Sequence, residues 1–310
     1  MEILKCDIQI GKLSFQWVNS IEVESSWQML TDNATIVLPA NIKVDKNKLS
    51  EQIKTGDKVT IKTGYKERLN TVFIGYVTYV KPSVPIEITC EDEMWKLKQV
   101  SINVSGRAKD LDEFMHQYYS DYEVDALNIA IGKYYYANKS KAKVLEELKS
   151  DFGLYAFFRN EKLVVGKQYS GSGSAKIKFK LDYNIITDEL EYKRKDQIKL
   201  KVKAISNNAD GTKLEIELGD ADGESRTLNF YDLTKSELKE FAQREIERLK
   251  YDGWRGSFTA FGEPFVRHGD VVELEHAEDS DKKGSYYVDK VVYTFGIDGY
   301  RQEITLGAKV

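Results

Sequence analysis

The chain has 310 residues, of which 41% are apolar, 31% are charged and 12% are aromatic. This composition is typical of a folded protein and excludes a disordered chain, while the length favours two or three domains. A formal net charge of −4 gives no general attraction to a phosphate backbone and so argues against a nucleic-acid-binding protein.

The two cysteines, Cys6 and Cys90, each lie in an apolar, strand-like run, where cysteine usually acts as a small buried hydrophobic residue. Two such thiols do not make a disulfide framework. No apolar run approaches about 18 residues, and the N-terminus lacks the pattern of a secretory signal. We therefore expect a protein that is made in the cytosol and carries no membrane anchor.

Alternation with a period of two dominates the chain from Ile3 to Trp95. Strands are predicted in "DIQIGKLSFQWV", "SIEVESSW", "ATIVLP", "DKVTIKTGY", "TVFIGYVTYV" and "PIEITC". The polar stretch from Asn41 to Lys54 predicts a loop with one helical turn at "KLSEQI". Short strands separated by turns are typical of barrels and sandwiches, so residues 1–98 are expected to form a first β-barrel-like domain.

Helical periodicity begins in the middle of the chain. "DLDEFMHQYYSDY" predicts an amphipathic helix, and Asp110 with Glu113 has the spacing of a capping box. "SKAKVLEELKSDFG" predicts a second helix, with Ser140 as N-cap and Gly153 past its end. A hairpin is predicted in "LYAFFRNEKLVVG". Residues 99–170 are therefore expected to form a small α+β domain.

The Gly/Ser-rich stretch "YSGSGSAK" predicts a flexible boundary before the last part of the chain. A long helix is predicted over about residues 235–250, because Thr234 and Glu237 have capping-box spacing ahead of an apolar face. Strands are predicted around it, with turns at "NNADGT" and "DADGES", in "QIKLKVKAIS", "KLEIELG", "RTLNFYDL", "GSFTAFG", "DVVELEH", "SYYVDKVVYTFG" and "RQEITLGAKV". Residues 171–310 are expected to form a second β-barrel-like domain, so the predicted fold is mainly β with an α+β insertion.

The two β-rich parts share one ordered pattern. "IKTGDKVTIK" and "FVRHGDVVEL" both place a Gly-Asp pair before an alternating strand, at Gly56-Asp57 and at Gly269-Asp270. Further strands follow each pair in the same order and at similar spacing, which suggests two tandem copies of one fold, although Gly-Asp is also a common turn pair. We expect each glycine to supply a turn conformation that is costly for other residues, and each aspartate to bind nearby backbone amides.

Motifs that carry catalytic or metal chemistry are lacking. The histidines His116, His268 and His276 are too few and too scattered for a zinc site, and no nucleophile elbow, phosphate-binding loop or dinucleotide fingerprint occurs. His268 beside Asp270 could form a dyad, but adjacent turn residues more often lie at the surface. "DADGES" and "DSDKKG" depart from the EF-hand order and are interpreted as hairpin loops. We predict no catalytic residue, no cofactor and no metal site.

The tyrosine cluster in "GKYYYANK", Tyr134 to Tyr136, could stack on sugars or bases, but a strand that packs two tyrosines inward is the simpler interpretation. The separation of two carboxylates cannot be read from a sequence, so the 50 acidic residues leave a glycosidase unsupported without excluding it.

Several stretches resemble one known family. They are "SSWQMLTDNATIVLP", "GDKVTIKTGY", "FIGYVTYVKPSVPIEITCEDEMWKLK", "VLEELKSDFGLYAFFRNEKLVVG" and "FTAFGEPFVRHGDVVEL". These look like the tail hub proteins of bacteriophages, the group that includes late control protein D of Mu-like and P2-like phages and the hub of T-even baseplates. The resemblance covers nearly the whole chain and consists of strand and turn patterns.

The resemblance implies a homotrimer in which two tube-forming β-barrel domains per chain surround a central channel. Three chains then present six similar barrels, and this pseudo-sixfold ring joins the tail tube to a threefold spike. The implied partners are the tail tube protein and a separate central spike protein, because the chain stops at the last strand of the second module, with the tape-measure protein as a further candidate. The implied location is the virion tail, after assembly in the host cytoplasm, with no enzymatic activity and no recognition of nucleic-acid sequence.

Two other functions remain open at this point. A carbohydrate-binding or carbohydrate-hydrolysing tail-associated β-protein is suggested by the tyrosine clusters and the many carboxylates. A cytosolic β-rich adaptor unrelated to phages fits the composition alone. The internal repeat favours the hub, because a symmetry adapter needs two equivalent barrels and a hydrolase does not.

Overall fold

The computed structural model describes residues 3–39, 43–44, 47–66, 68–82, 84–108, 110–159, 161–169, 176–208, 211–276 and 282–310. One sheet of 13 strands dominates it, and two small α+β units with cores of their own are attached. The prediction of a mainly β protein is confirmed. The predicted Gly/Ser-rich boundary lies almost entirely outside the described residues, as does the first half of "DSDKKG".

The first part of the chain forms the strands that its period-two pattern predicts. Side chains alternate between buried and less buried along β3, β4 and β9, as expected where one face of a sheet covers a core. The elements are β1 Leu4–Ile10, β2 Leu13–Phe15, β3 Ser20–Ser26, β4 Asn33–Leu38, β5 Lys43–Val44, β6 Asn47–Lys48, α1 Leu49–Gln52, β7 Lys58–Tyr65, β8 Arg68–Lys81 and β9 Ile86–Glu91.

The middle part contains the two predicted helices, each with its predicted N-cap. Asp110 accepts a hydrogen bond from the backbone of Glu113, Ser140 accepts one from Lys143, and Gly153 ends the second helix in the left-handed region. The elements are α2 Met94–Gln99, β10 Ser101–Ala108, α3 Leu111–Tyr118, β11 Val124–Ala126, β12 Gly132–Ser140, α4 Lys141–Phe152, β13 Ala156–Arg159 and β14 Lys162–Val165. They enclose one apolar core.

The last part of the chain mixes strands of the main sheet with an inserted unit. Its predicted helix carries the predicted capping box of Thr234 and Glu237. The elements are β15 Ile177–Lys180, β16 Ile185–Asp188, β17 Glu191–Lys193, a 3₁₀ turn Lys195–Gln197, β18 Leu200–Asn207, β19 Lys213–Gly219, β20 Glu224–Tyr231, α5 Lys235–Leu249, β21 Gly253–Arg255, β22 Ser257–Phe261, β23 Val271–Glu275, β24 Gly284–Gly296 and β25 Gly299–Lys309.

The inserted unit consists of β18, β19, β20 and α5, which share a small core. β19 pairs antiparallel with β18, whereas β20 pairs parallel with the opposite edge of β18. The interpretation of "DADGES" as a hairpin loop is therefore wrong. The backbone of Asp220 donates to Leu200 O at 2.8 Å, and its carboxylate accepts from Leu200 N at 2.9 Å. These bonds lead the loop across the end of β18 instead of back along β19.

The main sheet contains one strand order twice. We call β3-β4-β9-β8-β7-β1 the first module and β16-β22-β25-β24-β23-β15 the second module. Each module contains a three-stranded meander with a long central strand, β7-β8-β9 and β23-β24-β25. The modules differ at the last strand, because β1 is antiparallel to β7 and β15 is parallel to β23.

The strand pairing does not close either module into a barrel within the described part of the chain. Instead β3, at the edge of the first module, pairs antiparallel with β24 of the second, and a single core continues across both modules. β24 extends well beyond its pairing with β23, so it offers a free edge to β3. The two modules therefore share one sheet, and the two tandem barrel-like domains with boundaries after residues 98 and 170 stay predictions.

Candidate functional site

The predicted turn glycines lie at equivalent corners of the two modules. The N–H of Gly56 donates to Val77 O at 2.8 Å, and the N–H of Gly269 donates to Val288 O at 2.7 Å. Their φ angles are +91° and +79°, in the region that an L-residue rarely adopts. Each glycine thus lets the chain turn tightly into the strand that follows.

The predicted aspartates complete the corners in the same way. Asp57 Oδ2 accepts from Lys54 N and Asp270 Oδ2 accepts from Arg267 N, both at 2.8 Å. The carbonyl oxygens of Asp57 and Asp270 accept from the central strand of each meander, both at 2.9 Å. The two corners therefore have the same hydrogen bonds although 213 positions separate them in the chain.

The hairpin β13–β14 of the middle unit contacts both corners unequally. At the second corner, Arg159 Nη2 lies 2.7 Å from Asp270 Oδ1 and Nη1 donates to His268 O, and both charged side chains are largely buried. At the first corner, Lys58 Nζ lies 3.7 Å from Glu161 Oε1, with both side chains more than half exposed. Exposed pairs of this kind contribute little, so the hairpin is held mainly at the second corner.

His268 is buried, with 3% of its surface exposed, so the expectation of a surface turn residue is wrong. Its ring packs edge-on against Phe157 with centroids 4.9 Å apart. Burial, together with Arg159 and Arg267, lowers the pKa of His268 to about 3. The neutral ring leaves Nδ1 without a hydrogen-bond partner in the part of the chain that the structure describes. The carboxylate of Asp270 binds Arg159 and a backbone amide, so the contacts do not form a dyad.

Two carboxylates from the first module lie together beneath this corner. Ser25 Oγ donates to Asp32 Oδ2 at 2.5 Å and Ser26 N donates to Oδ1 at 3.2 Å, while Asp92 Oδ1 accepts from Met94 N at 3.0 Å. Burial raises the pKa of Asp32 to about 7. Burial and the neighbouring Asp32 carboxylate raise the pKa of Asp92. Repulsion between two neighbouring like charges disfavours the state in which both carboxylates are ionised.

A cavity of about 340 Å³ opens between the acidic pair, the second corner and the hairpin β13–β14. Asp32, Asp92 and His268 line it, together with Arg159 and Tyr293. The cavity therefore lies where the two modules and the middle unit meet. Its polar groups come from all three, so the cavity lies at a joint between them.

Asp289 forms a second joint, which here means a point where side chains from different parts of the chain are hydrogen-bonded to one another. It occupies a bulge of β24, and its Oδ1 accepts from Trp27 Nε1 at 2.9 Å and from Tyr169 OH at 2.7 Å. Its carbonyl oxygen accepts from Ser26 Oγ at 3.0 Å. Trp27 and Ser26 belong to the first module and Tyr169 follows the middle unit. One half-buried carboxylate thus connects three parts of the chain.

The seam between the modules is the pairing of β3 with β24, Ser20–Ser26 against Lys290–Gly296. Its inward side chains are fully or almost fully buried: Ile21, Val23, Val291 and Tyr293. On the outer side, Lys290 forms an ion pair with Glu24 across the seam. The seam buries apolar surface and satisfies two strand edges at once, so the modules form one continuous sheet.

The other residues that the sequence analysis considered as ligand-binding groups make contacts within the fold. Tyr134 and Tyr136 pack inward and Tyr135 is 74% exposed, which confirms the interpretation of this segment as a strand. In "DADGES", Asp220 binds Lys250 and Asp222 binds Lys199. Across the described ranges, no group of three or more His, Cys, Asp or Glu side chains has the geometry of a metal site. No helix in those ranges is long and apolar enough to span a membrane.

Solved structures of tail proteins share this fold over nearly the whole chain. The chain is similar to the 43 kDa tail protein of prophage MuSo2 from Shewanella oneidensis, with a TM-score of 0.67, 14% identity and coverage of 98% of each chain. It is similar to a tail protein from Neisseria meningitidis MC58, with a TM-score of 0.66, 15% identity and coverage of 99% and 96%.

A third similar structure is a component of a bacterial secretion system. An Escherichia coli component of the type VI secretion system, described as structurally similar to the T4 phage tail proteins gp27 and gp5, matches with a TM-score of 0.58 and 10% identity over 97% of this chain and 76% of that one. No protein-family model and no curated protein matches the sequence. At these identities the likeness shows the fold alone. The chain therefore has the fold of phage tail proteins, and the resemblance seen in the sequence is confirmed at that level.

The residues that connect the modules escaped sequence reasoning. Asp32 and Asp92 stand 60 positions apart, and Asp289 and Arg159 look like ordinary surface charges in their local sequence. One signal was present for Asp289: an acidic residue interrupts the apolar alternation of "SYYVDKVVYTFG". Nothing local distinguished the other three.

Proposed function

We propose that this chain is the structural hub of a phage tail baseplate, a homotrimeric ring with pseudo-sixfold symmetry that joins the tail tube to the central spike. The observation that carries the proposal is the pair of modules with one strand order, joined edge to edge in a single sheet. Three copies of such a chain supply six like positions around a threefold axis. A ring of that kind can meet a sixfold partner on one face and a threefold partner on the other.

The proposed partners are the tail tube protein and a separate central spike protein, with the tape-measure protein as a further candidate. The proposed location is the virion tail, after assembly in the host cytoplasm. The similarity to tail proteins and to a type VI secretion component supports this choice. We also propose that residues 1–98 and 171–310 act as the two tube domains, that residues 99–170 form the domain between them, and that barrel-like closure is reached in the assembled ring.

We further propose that the hub is not an enzyme. The carboxylates at the joints already have internal partners: Ser25 and a backbone amide bind Asp32, a backbone amide binds Asp92, and Trp27 and Tyr169 bind Asp289. These contacts explain the three carboxylates as structural groups. Equivalent modules also suit an adapter better than a hydrolase.

The alternative function, a carbohydrate-binding or carbohydrate-hydrolysing tail-associated protein, has one observation in its favour. Asp32 and Asp92 line a cavity with raised pKa values, as the acid of a glycosidase does. Turnover of peptidoglycan that disappears in Asp92→Asn would support this alternative. Unchanged turnover in that variant would exclude this pair as the catalytic one.

The mass of the purified protein in solution tests the hub proposal. Light scattering over a range of concentrations should reach three times the chain mass of 35.6 kDa. Negative-stain images of the protein mixed with its tube protein should show rings. A monomer at every concentration, with no ring in the mixture, would contradict the proposal.

A further inference from the structure

We propose that the edge of β8 at Tyr79–Lys81 pairs with the edge of β17 at Glu191–Lys193 in a second copy of the chain. The pairing would repeat between chains the seam that β24 and β3 form within one chain. This inference deepens the proposed hub function and rests on the proposed ring. It names the strands that would join one copy to the next.

The first step is the equivalence of β8 and β24. Their hydrogen bonds to the Gly-Asp corners match Val77 with Val288. Each valine is followed by one extra residue at a register shift against the next strand. Tyr79 therefore corresponds to Lys290, the first residue of β24 in the seam. The strands opposite agree with this match, since Tyr79 faces Thr89 in "EIT" and Lys290 faces Thr305 in a second "EIT".

The second step is the equivalence of β3 with β16 and β17. Thr89 faces Thr35 of β4, and Thr305 faces Ser257 of β22, so these two residues correspond. Glu22 pairs with Thr35, and the N–H of Glu189 donates to Ser257 O. Counting onward from these matched positions, the seam residues 24–26 of β3 correspond to residues 191–193, which are β17. The pairing of Glu191 with Arg255 repeats that of Glu24 with Asn33 and supports the match.

The third step compares the paired edges with their free equivalents. In the described part of the chain, residues 79–81 pair only with β9, and β17 pairs only with β21. Val291 and Val23 are fully buried in the seam, whereas their equivalents Val80 and Leu190 are only half-buried. Tyr79 is 59% exposed. The second set of edges thus has the apolar residues of a seam without the partner strand.

The fourth step transfers the register. In the seam, Lys290 faces Ser26 and Val292 faces Glu24. The same register between two copies places Tyr79 opposite Lys193, Val80 opposite Tyr192 and Lys81 opposite Glu191. A lysine then faces a glutamate, a favourable cross-strand pair, and another lysine lies beside an aromatic ring.

The proposed contact is short and directional. Pro82 has no N–H to donate, so strand pairing ends at Lys81. Short edges of this kind limit pairing with unrelated strands. The contact joins two different edges and is therefore heterologous. Repeated contacts of this kind form a closed ring if three successive rotations bring the chain back to its starting position.

Cysteine cross-linking tests the register directly. Directly opposed residues in an antiparallel pair have Cα atoms about 4.5–5.5 Å apart, within the range of a disulfide. Lys81→Cys with Glu191→Cys in one chain should give covalent dimers and trimers after mild oxidation on a non-reducing gel. The native thiols of Cys6 and Cys90 are buried, so the wild-type chain under the same oxidation gives the background level of cross-linking.

Three controls accompany the cross-link. Glu24→Cys with Val292→Cys should form a disulfide within one chain, because these residues face each other in the seam. Lys81→Cys with Asp112→Cys, on the exposed face of α3, should give no trimer. Either single-cysteine variant alone should also give none. If these controls gave trimers, the disulfide between residues 81 and 191 would not be specific for the proposed strand register, and the proposed register would be overturned.

Charge reversal gives an independent measurement. Lys81→Glu and Glu191→Lys should each raise the concentration for half-maximal association about fivefold or more, and the double variant should restore it. A protein that is trimeric by mass, but shows neither the cross-link nor the charge effect, would overturn the proposed edges and leave the hub function standing. A monomer at all concentrations that never cross-links would overturn both.

Discussion

Replacement of Gly269 by alanine should destabilise the protein through one identifiable contact. Gly269 has φ +79°, and a Cβ built there would lie 2.2 Å from Arg159 Nη1. The guanidinium would have to move. It would then lose its bonds to the carbonyl of His268 and to the carboxylate of Asp270. The variant therefore tests whether the middle unit holds the second corner.

The expected magnitude follows from two contributions. A left-handed conformation costs an alanine about 1 kcal/mol relative to glycine. Loss of a charge-assisted hydrogen-bonded contact that is largely buried costs about 2 kcal/mol. We therefore expect Gly269→Ala to reduce the free energy of unfolding by about 3 kcal/mol. Gly153 also has a positive φ, +69°, but nothing lies within 4 Å of its added Cβ, so Gly153→Ala should cost only about 1 kcal/mol.

Urea unfolding followed by circular dichroism measures these differences, provided that the slope of the transition is unchanged. A double-mutant cycle isolates the contact. In an Arg159→Met background, Gly269→Ala should cost only about 1 kcal/mol, which leaves a coupling energy of about 2 kcal/mol. Equal costs for Gly269→Ala in both backgrounds would refute the reasoning.

Three further variants test the joints. The folded pKa of Asp32, about 7, lies above its unfolded value, so the stability that this carboxyl contributes is lost as pH rises from about 4 to 7, and Asp32→Asn should remove that contribution. The folded pKa of His268, about 3, lies below its unfolded value, so it contributes the opposite slope between pH about 3 and 6.5, which His268→Leu should remove. Asp289→Ala should cost about 3 kcal/mol in urea unfolding, because it leaves Trp27 Nε1 and Tyr169 OH without their acceptor.

Matched variants control these measurements. Asp298→Asn changes an exposed aspartate and serves as the matched control for removal of one acidic side chain. Gln28→Ala removes only a 3.4 Å exposed bond to Asp289 and should change stability by less than about 0.5 kcal/mol. Identical pH profiles for wild type and Asp32→Asn, or a cost for Asp289→Ala no larger than for Gln28→Ala, would contradict the roles assigned to these carboxylates.

Sequence reasoning succeeded where the signal is local. The helix α5 was predicted because Thr234 and Glu237 cap it within one turn, and α4 because Ser140 and Gly153 mark its two ends. The helix α2 escaped prediction because it has only six residues, too few for a period, and its N-cap Glu93 makes no side-chain capping bond. Propensity and capping act over a few residues, so they can be recognised without the rest of the chain.

The pairing of strands that are far apart in the chain was harder to predict from the sequence. The turn at "DADGES" reads as a hairpin, yet the backbone of Leu200 directs β20 to the other side of β18. The two β-rich parts were predicted as tandem copies of one fold, but their sequences did not show that β3 and β24 would join them. In both cases the choice lies between free strand edges. Such edges look alike in sequence, because backbone N–H and C=O groups make the bonds.

The sequence by itself determined the type and order of most elements and the repetition of the Gly-Asp corner. It did so because turn geometry and strand alternation depend on neighbouring residues. Only the tertiary structure decided that the modules share one sheet, that Asp32 lies beside Asp92, and that Arg159 binds one corner and not the other. Those contacts join residues far apart in the chain, and they form only because a common apolar core brings the strands that carry them together.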